Sequence, residues 1–234
     1  MAIRPVSEVW DQGRDPALML VTDPLRLRGR ALADVVRAAV EGGVTIVQLR
    51  DRKASHAALL RDGALVREAI GRRARFFVNG DVGAAIALGA DGVHLPEAAA
   101  PAAAARARVA GSTMLVSRAV HSVEAALRAE RDGADIVQAG TLFETASKPG
   151  ACTLGIDGLR AICDAVRLPV IAIGGVTAAN AGRAIEAGAA GVAVIGAIFD
   201  ADDTAAAARA LRAALDGARA RTVEPPRVRP QRTR

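Results

Sequence analysis

Eight short apolar runs alternate with eight alanine-rich stretches, and that alternation restricts the fold more than any other feature of the sequence. The candidate strands are Ala17–Val21, Thr45–Leu49, Phe76–Asn79, Gly92–Leu95, Met114–Ser117, Ile136–Ala139, Val170–Ile173 and Val192–Ile195. Most are nearly continuous in apolar residues, the pattern of strands buried on both faces. Helices are expected near residues 29–41, 56–70, 81–88, 101–110, 122–131, 156–166, 177–187 and 203–216. A closed (β/α)8 barrel and an open doubly wound sheet both alternate in this way. Eight units in a chain of 234 residues favour the barrel, built as one domain. The expected organisation is an N-terminal extension over 1–16, a TIM barrel of parallel strands over 17–218, and a basic tail over 219–234 too poor in apolar groups to fold.

A repeated junction supports the unit count. Leu88-Gly89-Ala90-Asp91-Gly92-Val93, Asp132-Gly133-Ala134-Asp135-Ile136-Val137 and Ala187-Gly188-Ala189-Ala190-Gly191-Val192 share one shape, with Gly42-Gly43-Val44 a looser fourth. A helix stops at a glycine, two small or polar residues follow, and a strand begins. These are turns at the lower end of a barrel and carry no chemistry.

Composition removes several classes of function. Aromatic residues are 2% of the chain, with no tyrosine and one tryptophan, so stacking platforms for nucleobases are not expected. Two cysteines, Cys152 and Cys163, make neither a disulfide scaffold nor a four-ligand zinc site by themselves. The longest apolar stretch, Ala189 to Phe199, is too short to span a bilayer. The N-terminus lacks the apolar core of a signal peptide, and a cytoplasmic protein with no membrane partner is expected. The net charge of +6 is concentrated at one end: residues 219–234 hold six arginines and one glutamate, and residues 1–218 hold 25 basic and 24 acidic groups. That tail reads as a solvated terminus, and nucleic acid is not an expected partner. Homo-oligomerisation is left open.

In such a barrel the chemistry lies at the C-terminal ends of the strands. Gly174, Gly175 and Gly196 close the last two strands, with Ile195 beside them, and backbone N–H groups there suit a phosphate. Gln48, Arg50 and Arg52 alternate along the end of the second strand, so they share a face. Two arginines in a barrel mouth need anions, from a ligand or from Glu97 or Glu144. Asn79 ends the third strand. Lys148, one of two lysines, lies with Thr145 and Ser147 in a loop that could close over a phosphate-bearing ligand. His121 is the acid–base candidate; it precedes Ser122, an expected helix cap. His94 reads as a hydrogen-bonded core residue, His56 as a solvated one, and Asp81 as a helix cap.

Val47-Gln48-Leu49-Arg50, Ala90-Asp91-Gly92-Val93-His94-Leu95, Ala119-Val120-His121-Ser122-Val123-Glu124 and Val170-Ile171-Ala172-Ile173-Gly174-Gly175, in this order, resemble the superfamily of thiamine phosphate synthases and thiazole tautomerases. The resemblance covers roughly residues 17–200 and implies a barrel that binds a small-molecule thiazole phosphate. Synthases of this family join an aminopyrimidine pyrophosphate to a thiazole phosphate. They share a Gln-x-Arg-x-Lys motif, an Asn-Asp pair and an acidic residue after the fourth strand, and the two aspartates hold magnesium. Here those positions read Arg52, Asn79-Gly80 and Ala99. Magnesium is usually anchored by one or two carboxylates, and Gly80 and Ala99 supply none. Asp81 and Glu97 stand near enough in sequence to leave a rearranged site open. The tautomerase branch resembles this chain in Arg-x-Arg, Asn-Gly, His-Leu-Pro and Phe143-Glu144-Thr145, although Ala119 stands where both branches have serine.

The resemblance therefore implies first an isomerase. It would convert the carboxythiazole phosphate product of thiazole synthase to its aromatic tautomer, with no metal or redox cofactor. His121 would move the protons. Arg50 and Arg52 would hold the carboxylate, with Gln48, Asn79, Thr145 and Ser147 as further substrate contacts. Gly174, Gly175, Ile195 and Gly196 would bind the phosphate, and Lys148 would close the loop. The alternatives are a thiamine phosphate synthase, a transferase that brings magnesium with it, and a non-catalytic thiazole-phosphate-binding regulator.

Overall fold

A computed structural model describes residues 16–145, 150 and 152–223. Eight parallel strands close in sequence order into a barrel: β1 Ala17–Val21, β2 Ile46–Leu49, β3 Arg75–Asn79, β4 Gly92–Leu95, β5 Leu115–Val120, β6 Ile136–Gly140, β7 Val170–Ile173 and β8 Gly191–Val194. Pairing of β8 with β1, Val192 opposite Leu18, shuts the ring. The helices are α1 Leu32–Glu41, α2 His56–Ile70, α3 Val82–Ala87, α4 Ala102–Arg108, α5 Val123–Arg131, α6 Gly155–Ala165, α7 Ala181–Glu186, α8 Gly196–Phe199 and α9 Thr204–Val223. A single 3-10 turn, Pro24–Arg26, follows β1. The last helix runs five residues into the segment expected to be a solvated tail; residues 224–234 lie outside the described ones. No helix among the described residues is long and apolar enough to cross a membrane.

Alternation along the strands divides the core in two. Met19, Val21, Ile46, Phe77, Leu115, Ile136, Ile171 and Ala193 fill the barrel, whereas Leu18, Leu20, Val47, Leu49, Phe76 and Val78 pack outward under the helices. Phe77 is the bulkiest side chain inside, and its burial stabilises by about 1.5–3 kcal/mol. Gly92 faces it in register, and a Cβ there would lie 2.3 Å from the Phe77 ring. The absent side chain is what makes room for the ring.

The lower end is closed by a repeated circuit. Asp91 accepts from the Phe76 N–H at 2.7 Å and pairs with Arg67 of α2, which also donates to the Gly89 carbonyl. Two units later Asp135 accepts from the Val116 N–H at 2.7 Å and pairs with Arg106 of α4, which donates to the Gly133 carbonyl. In the Gly188 junction Ala190 replaces the aspartate and receives the Ala17 N–H on its own carbonyl.

Candidate active site

The upper mouth is assembled from strand ends. Arg50 follows β2 directly, and Thr22 fixes its backbone: the Arg50 N–H donates to Thr22 Oγ1 at 2.8 Å, and that hydroxyl donates back to the Arg50 carbonyl at 3.1 Å. Burial and the neighbouring Arg52 charge pull the Arg50 guanidinium below its usual range, against the opposing pull of Asp23 and Asp51. Among the described residues Arg50 makes no ion pair within 4.0 Å, although it is half-buried. Gln48 lies one layer below. It is buried, and its Nε2 donates to Met19 Sδ at 3.5 Å, beside the same contact from Gln138 at 3.4 Å. Arg52 lies beyond the strand end on the exposed β2–α2 loop. Strand alternation therefore stacks Gln48 and Arg50 in one column but does not extend to Arg52.

Asn79 ends β3 opposite His94. Gly80 follows at φ +82° and donates its N–H to the His94 carbonyl at 2.8 Å, so a left-handed turn accounts for the glycine. Asp81 caps α3 through the Ala84 N–H at 2.8 Å and faces His56 Nδ1 at 2.7 Å. Slight burial pushes its carboxyl up, but the hydrogen bonds from His56 and the backbone outweigh that and hold it below the usual range. His56 is thus a hydrogen-bond partner of Asp81 as well as half-exposed to solvent. His94 is buried, with Nδ1 at 3.0 Å from Ser117 Oγ. Burial, then Arg118 and Arg50, bring its pKa down to about 3, so the ring is neutral at physiological pH.

β5 extends three residues past its expected end, through Arg118, Ala119 and Val120. Arg118 donates to the carbonyls of Glu97 at 2.9 Å, Ala99 at 3.1 Å and Ala100 at 2.7 Å, and so holds the β4–α4 loop. That loop turns Glu97 toward His121, whose Nε2 lies 3.2 Å from the Glu97 carboxylate while Nδ1 meets the Gly140 carbonyl. Ser122 caps α5 at the Ala125 N–H.

Gly174 and Gly175 have φ of +101° and +66°. A Cβ on Gly175 would lie 2.5 Å from the Glu144 carbonyl oxygen and 2.7 Å from that of Phe143, so the β6–α6 loop rests on this pair. Thr145, in that loop, is half-buried. Ser147 and Lys148 lie outside the described residues. Ile195 and Gly196 start α8. The Arg26 guanidinium lies 3.2 Å from where a Gly196 Cβ would be, paired with Asp200 and, at 3.5 Å, with Asp23. Sequence reasoning missed Arg26; the alternation Arg26, Arg28, Arg30 after β1 is the signal that marks it.

The donor set does not fit the magnesium that the resemblance implies for a synthase. Gly80 has no side chain, and the Ala99 carbonyl is occupied by Arg118. Asp81 has one oxygen on the Ala84 N–H and the other on His56, and Glu97 faces His121. No group of three or more His, Cys, Asp or Glu side chains among the described residues is placed to hold a metal ion.

A family model described as thiamine monophosphate synthase matches residues 18–198. A thiamine-phosphate synthase of Chloroflexus aurantiacus is 43% identical over 202 residues, covering 85% of this chain and 92% of that protein. One of Methanoculleus marisnigri is 43% identical over 205 residues, covering 87% and 97%. The solved structure of a thiamine phosphate pyrophosphorylase from Pyrococcus furiosus superposes with a TM-score of 0.78 at 35% identity, covering 86% of this chain and 96% of that one. These findings overturn the expectation of a thiazole tautomerase, and of an isomerase with it. Asn79-Gly80 had stood for that branch, yet the Gly80 turn is explained by its backbone alone.

Proposed function

The chain belongs to the thiamine monophosphate synthase family, and from that premise we propose that it joins an aminopyrimidine, carried as its pyrophosphate, to a thiazole phosphate. The reaction is a transfer. A thiazole ring nitrogen forms a bond to the carbon bearing the pyrophosphate, the carbon–oxygen bond breaks, and pyrophosphate leaves with the electron pair. Arg50 and Arg52 receive the pyrophosphate charge. The backbone N–H groups of Gly174, Gly175, Ile195 and Gly196 receive the thiazole phosphate, with Arg26 beside them. Asn79, Thr145, Ser147 and Lys148 complete the substrate contacts, and Gln48 lies one layer below, on Met19. His121 stands beside the mouth with its Nε2 on the Glu97 carboxylate. The supporting observation is 43% identity to a named synthase across 85% of the chain.

The test is to incubate the full chain with the two substrates and follow thiamine phosphate and released pyrophosphate. Equal appearance of both supports the reading. A protein that binds thiazole phosphate yet forms neither product overturns it.

A further inference from the structure

The mouth combines an unmet positive charge with committed carboxylates. Arg50 is half-buried and, among the described residues, has no acidic partner within 4.0 Å. Its neighbour Arg52 adds a second cation. A guanidinium withdrawn from water and left unpaired calls for an anion from outside the fold. The acidic groups on the same side of the mouth each carry a contact. Asp23, which acts on Arg50 at longer range, accepts the Leu25 N–H at 3.3 Å and lies 3.5 Å from Arg26 Nε. Asp51 accepts the Lys53 N–H at 2.8 Å. Asp81 is fixed between the Ala84 N–H and His56. Glu97 faces His121, and Arg118 holds its loop. Freeing Asp81 for a cation would cost the α3 cap, and freeing Glu97 would take an acceptor from His121. A divalent cation would also have to enter beside Arg50, against like charge.

We propose that this mouth binds a diphosphate directly on the guanidinium of Arg50, flanked by Arg52, and holds no divalent cation through its own side chains. The proposal rests on the synthase reading for its ligand class, a diphosphate ester. When the carbon–oxygen bond of that ester breaks, the charge left on pyrophosphate is received by guanidinium N–H donors, which need no proton transfer to do so.

Inorganic pyrophosphate titrated calorimetrically into the full chain, in EDTA and in magnesium chloride, tests this. Binding in EDTA should be at least as tight as in magnesium, and Arg50→Gln should weaken it tenfold or more. Manganese titrated alone, read by paramagnetic resonance, should remain free in solution. Binding of pyrophosphate only when magnesium is present overturns the proposal, as does one tightly bound manganese per chain. Failure of pyrophosphate to bind in either buffer, with thiazole phosphate still bound, also overturns it and leaves the thiazole half of the functional reading intact. Pyrophosphate bound in EDTA by a protein that forms no thiamine phosphate gives the converse: the synthase reading fails and the cation-free diphosphate site stands.

Discussion

At the lower end of the barrel Arg67 and Arg106 each pair with an aspartate that also accepts a strand N–H, and each donates to a junction carbonyl, whereas at the upper end Arg50 makes no ion pair within 4.0 Å among the described residues and feels Asp23 and Asp51 only at longer range. Both ends draw on arginine, aspartate and glycine. The lower circuits lock helix, turn and strand together and leave nothing for a ligand. The upper groups are held by their backbones, through Thr22 at Arg50 and Arg118 at the β4–α4 loop, while charge remains directed outward. What sets the upper end apart is one half-buried cation, Arg50, without an ion pair within 4.0 Å among the described residues.

The largest expected effect comes from acid acting on the upper end. His94 is buried at a pKa of about 3, against about 6.5 in an unfolded chain. A depressed pKa stabilises the fold above the unfolded value, and that stability is lost as pH falls from about 6.5 toward 3. Over this window the unfolded chain binds the extra proton, so the slope approaches ~1.4 kcal/mol per pH unit. Urea midpoints measured between pH 7.5 and 4.5 should fall more steeply for the parent than for His94→Gln, which retains a hydrogen-bonding group for Ser117. Asp81 adds its own loss only lower, as pH drops below about 4 and its carboxylate protonates. Parallel profiles for parent and variant would remove His94 as the cause.

A glycine pair compares the ends at lower cost. Gly175 and Gly133 both have positive φ, at +66° and +82°. Alanine at Gly133 meets only Arg106 Cγ at 3.7 Å, so it adds backbone strain alone, about 1 kcal/mol. Alanine at Gly175 meets two carbonyl oxygens within 2.7 Å, so overpacking is added and the loss should be about 2–4 kcal/mol. Coupling should also collapse in Gly175→Ala, because the β6–α6 loop must move, and survive in Gly133→Ala. Denaturation and rate measurements on the two variants check both halves. Equal stability losses would mean that the loop yields freely.

Legibility in the sequence followed the range of the interactions. The helix over 56–70 and the strand Gly92–Leu95 have the bounds that their local patterns predict, because cap and periodicity are local signals. β5 ran further than expected because Arg118 looked like an interruption. In a strand it simply faces the other way from Ser117 and Ala119, toward a loop that needs its donors. The pairings of His56 with Asp81 and Arg26 with Asp200 span 25 and 174 residues, and no spacing rule carries contacts that only the packed barrel creates. The branch of the family was misread for a related reason. Single positions such as Gly80 were taken as chemistry when local backbone geometry explains them, while identity spread over the whole barrel pointed elsewhere.

The smallest effect on rate tests whether the lower circuits are structural only. Asp135→Ala removes the acceptor of the Val116 N–H and the partner of Arg106 at once. Arg106 keeps its bonds to the Gly133 and Met114 carbonyls at 3.2 Å, and its partly exposed head can turn to water. The Val116 N–H, on a buried strand residue, has no such alternative. The loss should therefore be that of one orphaned backbone donor with part of an ion pair, about 1–3 kcal/mol. Asp91→Ala should match it, since Phe76 and Arg67 repeat the same geometry. In both variants the coupling rate at a temperature well below unfolding should stay within about twofold of the parent, because neither aspartate reaches the mouth. A rate that falls in step with stability for Asp135 but not for Asp91 would show that β5, which carries Arg118 and leads into His121, transmits the damage upward, and the two ends of the barrel would then not be independent.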